Sequence, residues 1–189
     1  MTILDEEKTF LLELAPDLKR ELPILTLAGT DHRIASFVML GDIELNEKCA
    51  RLLAERFRTD GLLDRFDLIA AIEAKGITLA HEVARCLNHP YYAVIRKTIK
   101  RYMVQPMTVP VTSITSQGKQ TLVLDGRDAA RIRGRRICLV EDVIATGGSV
   151  RAAAELIETA GGDLTVIASV LLKGSFSDPR LIYIKNPPM

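Results

Sequence analysis

The spacing of apolar residues changes period several times along this chain, and the changes mark out elements. From Leu45, the residues Leu45, Cys49, Leu52, Leu53 and Phe57 recur at helical spacing. The run "FDLIAAIEAKG" is continuous rather than alternating, a strand that ends in Glu73-Ala74-Lys75-Gly76. Helical spacing returns through Ile77, Ala80, Ala84 and Leu87, and "YYAVIRK" is a short strand with charge at its end. Residues 98 to 120 are polar, rich in Thr and Ser, and contain Pro106 and Pro110; they read as a long loop or an irregular ribbon. Beyond them come a strand and turn, "TLVLDG", and a buried strand, "RRICLVED". A helix marked by Val150, Ala153, Ala154 and Ile157 is stopped by Gly161-Gly162. "LTVIASVLLKG" is a further strand, and "LIYIKNPPM" is placed to close the sheet edge. At the front, residues 1 to 20 read as a short amphipathic helix with Phe10, Leu11 and Leu14 on one side. Two apolar runs flanking Ala28-Gly29-Thr30-Asp31 predict a hairpin.

Strands without alternation, separated by helix-length segments, predict an α/β fold with a mainly parallel central sheet covered by helices on both faces. Without a linker or an internal repeat, the chain reads as a single structural domain, an N-terminal helix and hairpin, 1–40, added to a core, 41–189. Composition narrows the partners. A formal net charge of +1 provides no general field toward nucleic acid or an acidic membrane. Apolar runs are strand-length, and "MTILDEEKTFLLEL" has acids where a signal peptide needs a basic region, so a cytoplasmic setting is expected. Cys49, Cys86 and Cys138 are scattered and read as buried reduced thiols; with His32, His81 and His89 they form no ligand-spaced cluster for a structural metal.

In an open parallel sheet, ligands bind beyond the carboxyl ends of the strands. Three strand ends here carry polar chemistry: Glu73 to Gly76, Arg96-Lys97, and Glu141-Asp142 followed by Thr146-Gly147-Gly148-Ser149. The last turn enters a helix, so its backbone N–H groups, the helix dipole and two hydroxyls make a phosphate cradle. The same residues would also serve as a plain N-cap through Ser149. Neither G-x-x-x-x-G-K-[ST] nor G-x-G-x-x-G occurs, which sets aside ordinary NTPases and Rossmann dinucleotide domains. Carboxylates beside a phosphate site repel it unless they face hydroxyls or magnesium. A five-carbon sugar with a terminal phosphate spans that gap, and the site reads as one for ribose 5-phosphate.

On these residues the chain resembles the type I phosphoribosyltransferases. "ICLVEDVIATGGS" is similar to their phosphoribosyl-diphosphate (PRPP) motif, and "IAAIEAKGITLAHEVARCLNHPYYAVIRK" looks like the purine branch. The resemblance runs from about Ile34 to Ser175 and implies the family's fold, with residues 1–40 contributing a small hood over the base. It implies that Glu141 and Asp142 hold the ribose hydroxyls, with magnesium arriving on PRPP nearby. Ala145, Thr146, Gly147, Gly148 and Ser149 take the 5-phosphate; Ala74, Lys75 and Gly76, in a loop that in some relatives carries a cis non-proline bond, take the diphosphate with Arg96 and Lys97. Lys100 and Arg101 open a mobile loop that closes over the same group. The implied reaction transfers ribose 5-phosphate from PRPP to a purine in salvage, by a homodimeric enzyme without nucleic-acid or membrane partners.

Two departures leave the base open. Adenine-specific relatives usually carry a loop glutamate, yet Ser116 and Gln120 stand where the acids would be, and Thr98 to Leu124 contains no carboxylate. "VTSITSQ" and "LLKGSF" are instead similar to xanthine phosphoribosyltransferases, which makes Lys173 a candidate reader of a 6-oxo group, with Phe176 and Phe37 as further base contacts. The phosphate-loop spelling "ATGGS" points away from that branch. Alternatives to an adenine-type enzyme are a xanthine or hypoxanthine-guanine enzyme, a PRPP enzyme with a non-purine acceptor such as orotate, and a non-catalytic PRPP-sensing regulator.

Overall fold

A computed structural model of the chain describes residues 4–26, 29–111 and 120–187. Its centre is a sheet in the order β10-β9-β8-β4-β5, with every neighbouring pair parallel. The strands are β4 (Leu68–Ile72), β5 (Tyr92–Ile95), β8 (Arg136–Ile144), β9 (Asp163–Leu172) and β10 (Leu181–Lys185). Four helices accompany them among the described residues: α1 (Ile43–Thr59), α2 (Lys75–Cys86), α3 (Gly126–Ile132) and α4 (Gly148–Thr159). The unbroken apolar strands are explained by burial on two sides. Ile69, Ala71, Cys138 and Val140 pack in one core with Leu53, Phe57, Leu79 and Val83. Leu68, Ala70, Ile72 and Leu139 pack in a second with Ile132, Ala153 and Leu156. The α/β fold, the helices from Leu45 and Ile77, and the closing strand at the sheet edge are as the periodicity predicted.

The N-terminal helix is not formed. Residues there make β1 (Leu4–Ala15) and β2 (Leu18–Thr26), an antiparallel pair joined at Pro16-Asp17 with Ala15 opposite Leu18. Period two replaces period 3.6: Leu12, Leu14, Leu18 and Leu22 are buried while Leu11 is 58% exposed. Pro and Asp are turn formers, and a turn at Pro16-Asp17 cuts a helix short but closes a hairpin. The second hairpin forms between β2 and β3 (Arg33–Ala35), although Ala28 lies outside the described residues. Of the two readings of residues 98–120, the ribbon is found where they are described: β6 (Met107–Val111) pairs antiparallel with β7 (Gln120–Leu124), and residues 112–119 lie outside the described residues. Ser116 lies outside the described residues. The turn after β7 opens α3, where Asp125 accepts from the Arg127 N–H at 2.9 Å.

Candidate functional site

The β4–β8 ladder ends at Ala71–Val140, while β8 continues beside β9 to Ile144–Leu172. Glu141 and Asp142 therefore lie on a stretch of strand that has lost one neighbour and faces the β4–α2 turn across a notch. Glu141 lines a cavity of about 170 Å³ with Ala145, Thr146, Gly147, Gly148 and Ser149, in front of α4. Asp142 stays beside it, its N–H donating to Glu141 Oε1 at 3.1 Å, and faces Lys75, whose Nζ is 3.0 Å from Oδ2. The contact is an ion pair without hydrogen-bond alignment, and Oδ2 is left with no hydrogen-bond partner although Asp142 is only 4% exposed. Burial, and then Asp142 beside it, push the Glu141 carboxyl well above the usual carboxylate range, with Lys97 pulling weakly the other way.

Both helix starts at this rim lack a side-chain cap. α4 begins behind Gly147, which sits at φ +75°, and Ser149 lies inside the first turn instead of capping it. α2 begins at Lys75 behind Ala74, and the Glu73–Ala74 peptide is cis. Uncapped first-turn N–H groups with the helix dipole behind them attract anions. The turns are packed tightly. A Cβ on Gly76 would lie 3.0 Å from the Val140 carbonyl and 3.3 Å from Glu141 Oε1, and one on Gly147 would meet the Phe176 ring at 2.0 Å.

The third strand end is held in place. Arg96 exchanges both backbone hydrogen bonds with Val123 of β7, at 2.8 and 2.7 Å. Its Nη1 donates to Glu73 Oε1 at 3.2 Å, and the Lys97 N–H donates to Glu73 Oε2 at 2.9 Å. Sequence reasoning passed over Glu73 as a functional residue; its place between β4 and the Ala74–Gly76 turn was the available signal. Lys173 Nζ donates to the Ala35 carbonyl of β3 at 3.0 Å, and its pKa is lowered by burial, then by Lys75, against the pull of Asp142. Lys75, Lys97, Lys173 and the two acids thus form one charged group.

The remaining candidates are placed differently. Lys100 and Arg101 lie in a turn closed by the Met103 N–H to the Lys100 carbonyl, and have no ion pair among the described residues. Phe37, 4% exposed, is committed to the core with Met39 and Leu45. Phe176 is packed under the 147 turn, with the Arg151 guanidinium 5.8 Å from its ring centre. Arg151, also missed, donates to the Thr146 carbonyl at 2.7 Å. Among the described residues there is no group of three or more His, Cys, Asp or Glu able to hold a metal, and no helix is long and apolar enough to cross a membrane.

Residues 42–185 match the phosphoribosyl transferase domain, and the chain belongs to that family. The relatives it matches include adenine phosphoribosyltransferase of Agathobacter rectalis, 36% identical over 125 residues, spanning 66% of this chain and 67% of the relative. Hypoxanthine/guanine phosphoribosyltransferase of Methanococcus voltae is 32% identical over 143 residues, spanning 76% and 70%. In fold, the chain is similar to the solved adenine phosphoribosyltransferase of Saccharomyces cerevisiae, at a TM-score of 0.67 and 18% identity, covering 85% of this chain and 91% of that one.

Proposed function

We propose that the chain is a purine phosphoribosyltransferase of the adenine type, transferring ribose 5-phosphate from PRPP to a ring nitrogen of a purine with release of diphosphate. The observation that carries this reading is the pair of uncapped helix starts, α2 and α4, flanking the half-buried Glu141 and the buried Asp142 on one rim. In the proposal, Ala145 to Ser149 hold the 5-phosphate through first-turn N–H groups. Glu141 and Asp142 accept from the ribose hydroxyls, which satisfies the unpartnered Asp142 oxygen. Lys75 leaves Asp142 for the diphosphate, joined by the Ala74–Gly76 turn, Arg96 and Lys97, with Lys100 and Arg101 closing over the same group.

The bond from the sugar carbon to diphosphate breaks as the bond to the base nitrogen forms, and the base gives up its proton. Positive charge gathers on the sugar and negative charge on the leaving group. Carboxylates on one and fixed cations on the other therefore stabilise the transition state more than the ground state. Two adjacent carboxylates with no nitrogen or sulfur donors suit magnesium as well as hydroxyls; the ion would be held near Glu141 and Asp142 and would neutralise charge on the departing diphosphate.

One observation favours a 6-oxopurine as the base. The half-buried Lys173 ammonium stands between the rim and β3 of the hood, where an exocyclic oxygen could accept from it. The proposal includes a homodimer, supported by Ile99, Tyr102 and Val104, each more than half exposed beside Lys97, Lys100 and Arg101. It also includes a cytoplasmic setting, supported by three free cysteines. The test is nucleotide formation from PRPP and magnesium with adenine, hypoxanthine, guanine, xanthine and orotate. Adenine turnover supports the adenine type, 6-oxopurine turnover selects the Lys173 reading, and orotate turnover removes the purine assignment. PRPP binding without turnover converts the protein into a regulator.

A further inference from the structure

A carboxylate at the mouth of a diphosphate site is a liability unless its charge is engaged. Glu73 stands there, one residue before the Ala74–Gly76 turn, and both of its oxygens are occupied. Oε1 accepts from Arg96 Nη1 at 3.2 Å and Oε2 from the Lys97 N–H at 2.9 Å. One side chain thus grips the guanidinium of the first cation and the backbone of the second. The strand itself does not need this grip. Arg96 is already held by two backbone hydrogen bonds to Val123, and the Glu73 N–H bonds the Ile95 carbonyl at 2.8 Å. Partly exposed ion pairs add little to stability. What the carboxylate adds is direction. It engages Nη1 of a five-donor guanidinium, and among the described residues the remaining donors are left for phosphate oxygens.

We infer that Glu73 is a positioning residue that aims Arg96 and shapes the Lys97 turn toward the diphosphate of PRPP, an inference that rests on the function proposed above. A long cation ordered before the ligand arrives loses less freedom on binding than one ordered by it. The carboxylate reaches the substrate only through Arg96 and Lys97, so its effect belongs to PRPP affinity and not to the base.

The experiment is initial-rate kinetics with PRPP and the preferred purine on the full chain, comparing wild type, Glu73→Ala, Glu73→Gln, Arg96→Ala and the Glu73→Ala/Arg96→Ala double variant, with melting temperatures alongside. Loss of a hydrogen bond to a charged group predicts that Glu73→Ala raises KM for PRPP about tenfold. KM for the purine and the melting temperature should stay near wild type. Glu73→Gln, which still accepts from the Lys97 N–H, should fall between the two and is read alone if the alanine variant is unstable. The double variant should lose clearly less than the sum of the two single losses, because with Arg96 gone only the Lys97 contact is left for Glu73 to position. A wild-type KM in both Glu73 variants, a KM for PRPP that falls, or losses that add in the double variant would each overturn the inference. A wild type that neither binds nor consumes PRPP removes the parent function together with it, whereas wild-type turnover with unmoved Glu73 variants removes this inference alone.

Discussion

The rim of the parallel sheet and the antiparallel hood beside it hold their side chains in different ways. At the rim each polar group stands at the end of an element, where a strand gives way to a turn and a helix start: Glu73 to Gly76 after β4, Arg96-Lys97 after β5, and Glu141 to Ser149 across the end of β8. Its charges are tied to one another, Lys75 to Asp142 and Arg96 to Glu73. The hood is held by Leu12, Leu14, Leu18, Leu22 and Phe37 in the core shared with α1, and by ion pairs of Arg20 with Asp42 and Glu44 and of Asp17 with Lys48; it meets the rim through Lys173 and the Ala35 carbonyl. The rim is therefore a group of mutually paired charges at element ends, and the hood a cover fixed to α1 by packing and ion pairs and to the rim through Lys173. Substitutions should follow that division, damaging chemistry at the rim and base affinity at the hood.

The largest effect is expected from Asp142→Asn. The volume is kept while the charge that faces Lys75 is removed, so the fold should survive with a melting temperature within a few degrees of wild type. Turnover with PRPP should fall by at least about a hundredfold, the scale of losing one charge-stabilising group in an active site. A variant with unchanged turnover would take the acids out of the mechanism and leave the rim no more special than the hood.

Gly147→Ala should act next, and through shape. Gly147 is left-handed at φ +75°, a conformation that costs a residue with a Cβ about 1–2 kcal/mol. The added methyl would also stand 2.0 Å from the Phe176 ring. We expect a stability loss of about 2 kcal/mol in denaturant titration, with KM for PRPP rising in parallel if the proposed 5-phosphate turn is pushed out of place. Trimming the obstruction with Phe176→Leu should recover part of the loss. If it recovers none, Phe176 does not support the turn.

The same division explains what could be read without coordinates. "ICLVEDVIATGGS" and "FDLIAAIEAKG" are each one local unit, an apolar strand running into a polar turn, and the shared carboxyl-end rim of a parallel sheet then brings Glu141, Asp142 and Lys75 to one side. The hood offered no such unit. Phe10, Leu11 and Leu14 fit a helical face as well as a strand, and the deciding feature was the turn at Pro16-Asp17, which turns Leu11 outward and Leu12 inward. Tertiary partnerships were invisible for a further reason: Glu73 meets Arg96 across 23 positions and Lys173 meets Ala35 across 138. No local period encodes contacts of that range. The apolar character of Phe37 and Phe176 was legible, but which surface each would cover was not, and their rings lie in the core and under the Gly147 turn.

The smallest effect, and the one that tests the hood directly, concerns Lys173. Burial first, and then Lys75, lower its pKa from the ordinary 10.5, while Asp142 opposes them. The sign differs for binding and for folding. Any base affinity that depends on the ammonium is complete at low pH and declines as pH rises through the lowered value, earlier than for an exposed lysine. Stability runs the other way. The folded state disfavours the charged form, so the contribution to stability is complete above the unfolded value and is lost as pH falls through the folded one. Lys173→Met should therefore raise KM for the base a few-fold at neutral pH, leave KM for PRPP near wild type, and raise the melting temperature slightly. The KM profile of the variant should also be flat where the wild-type KM climbs on the alkaline side. A wild-type profile that is itself flat, or a variant with wild-type base affinity, would reduce Lys173 to a tether between β3 and the rim and return base selection to other residues of the hood.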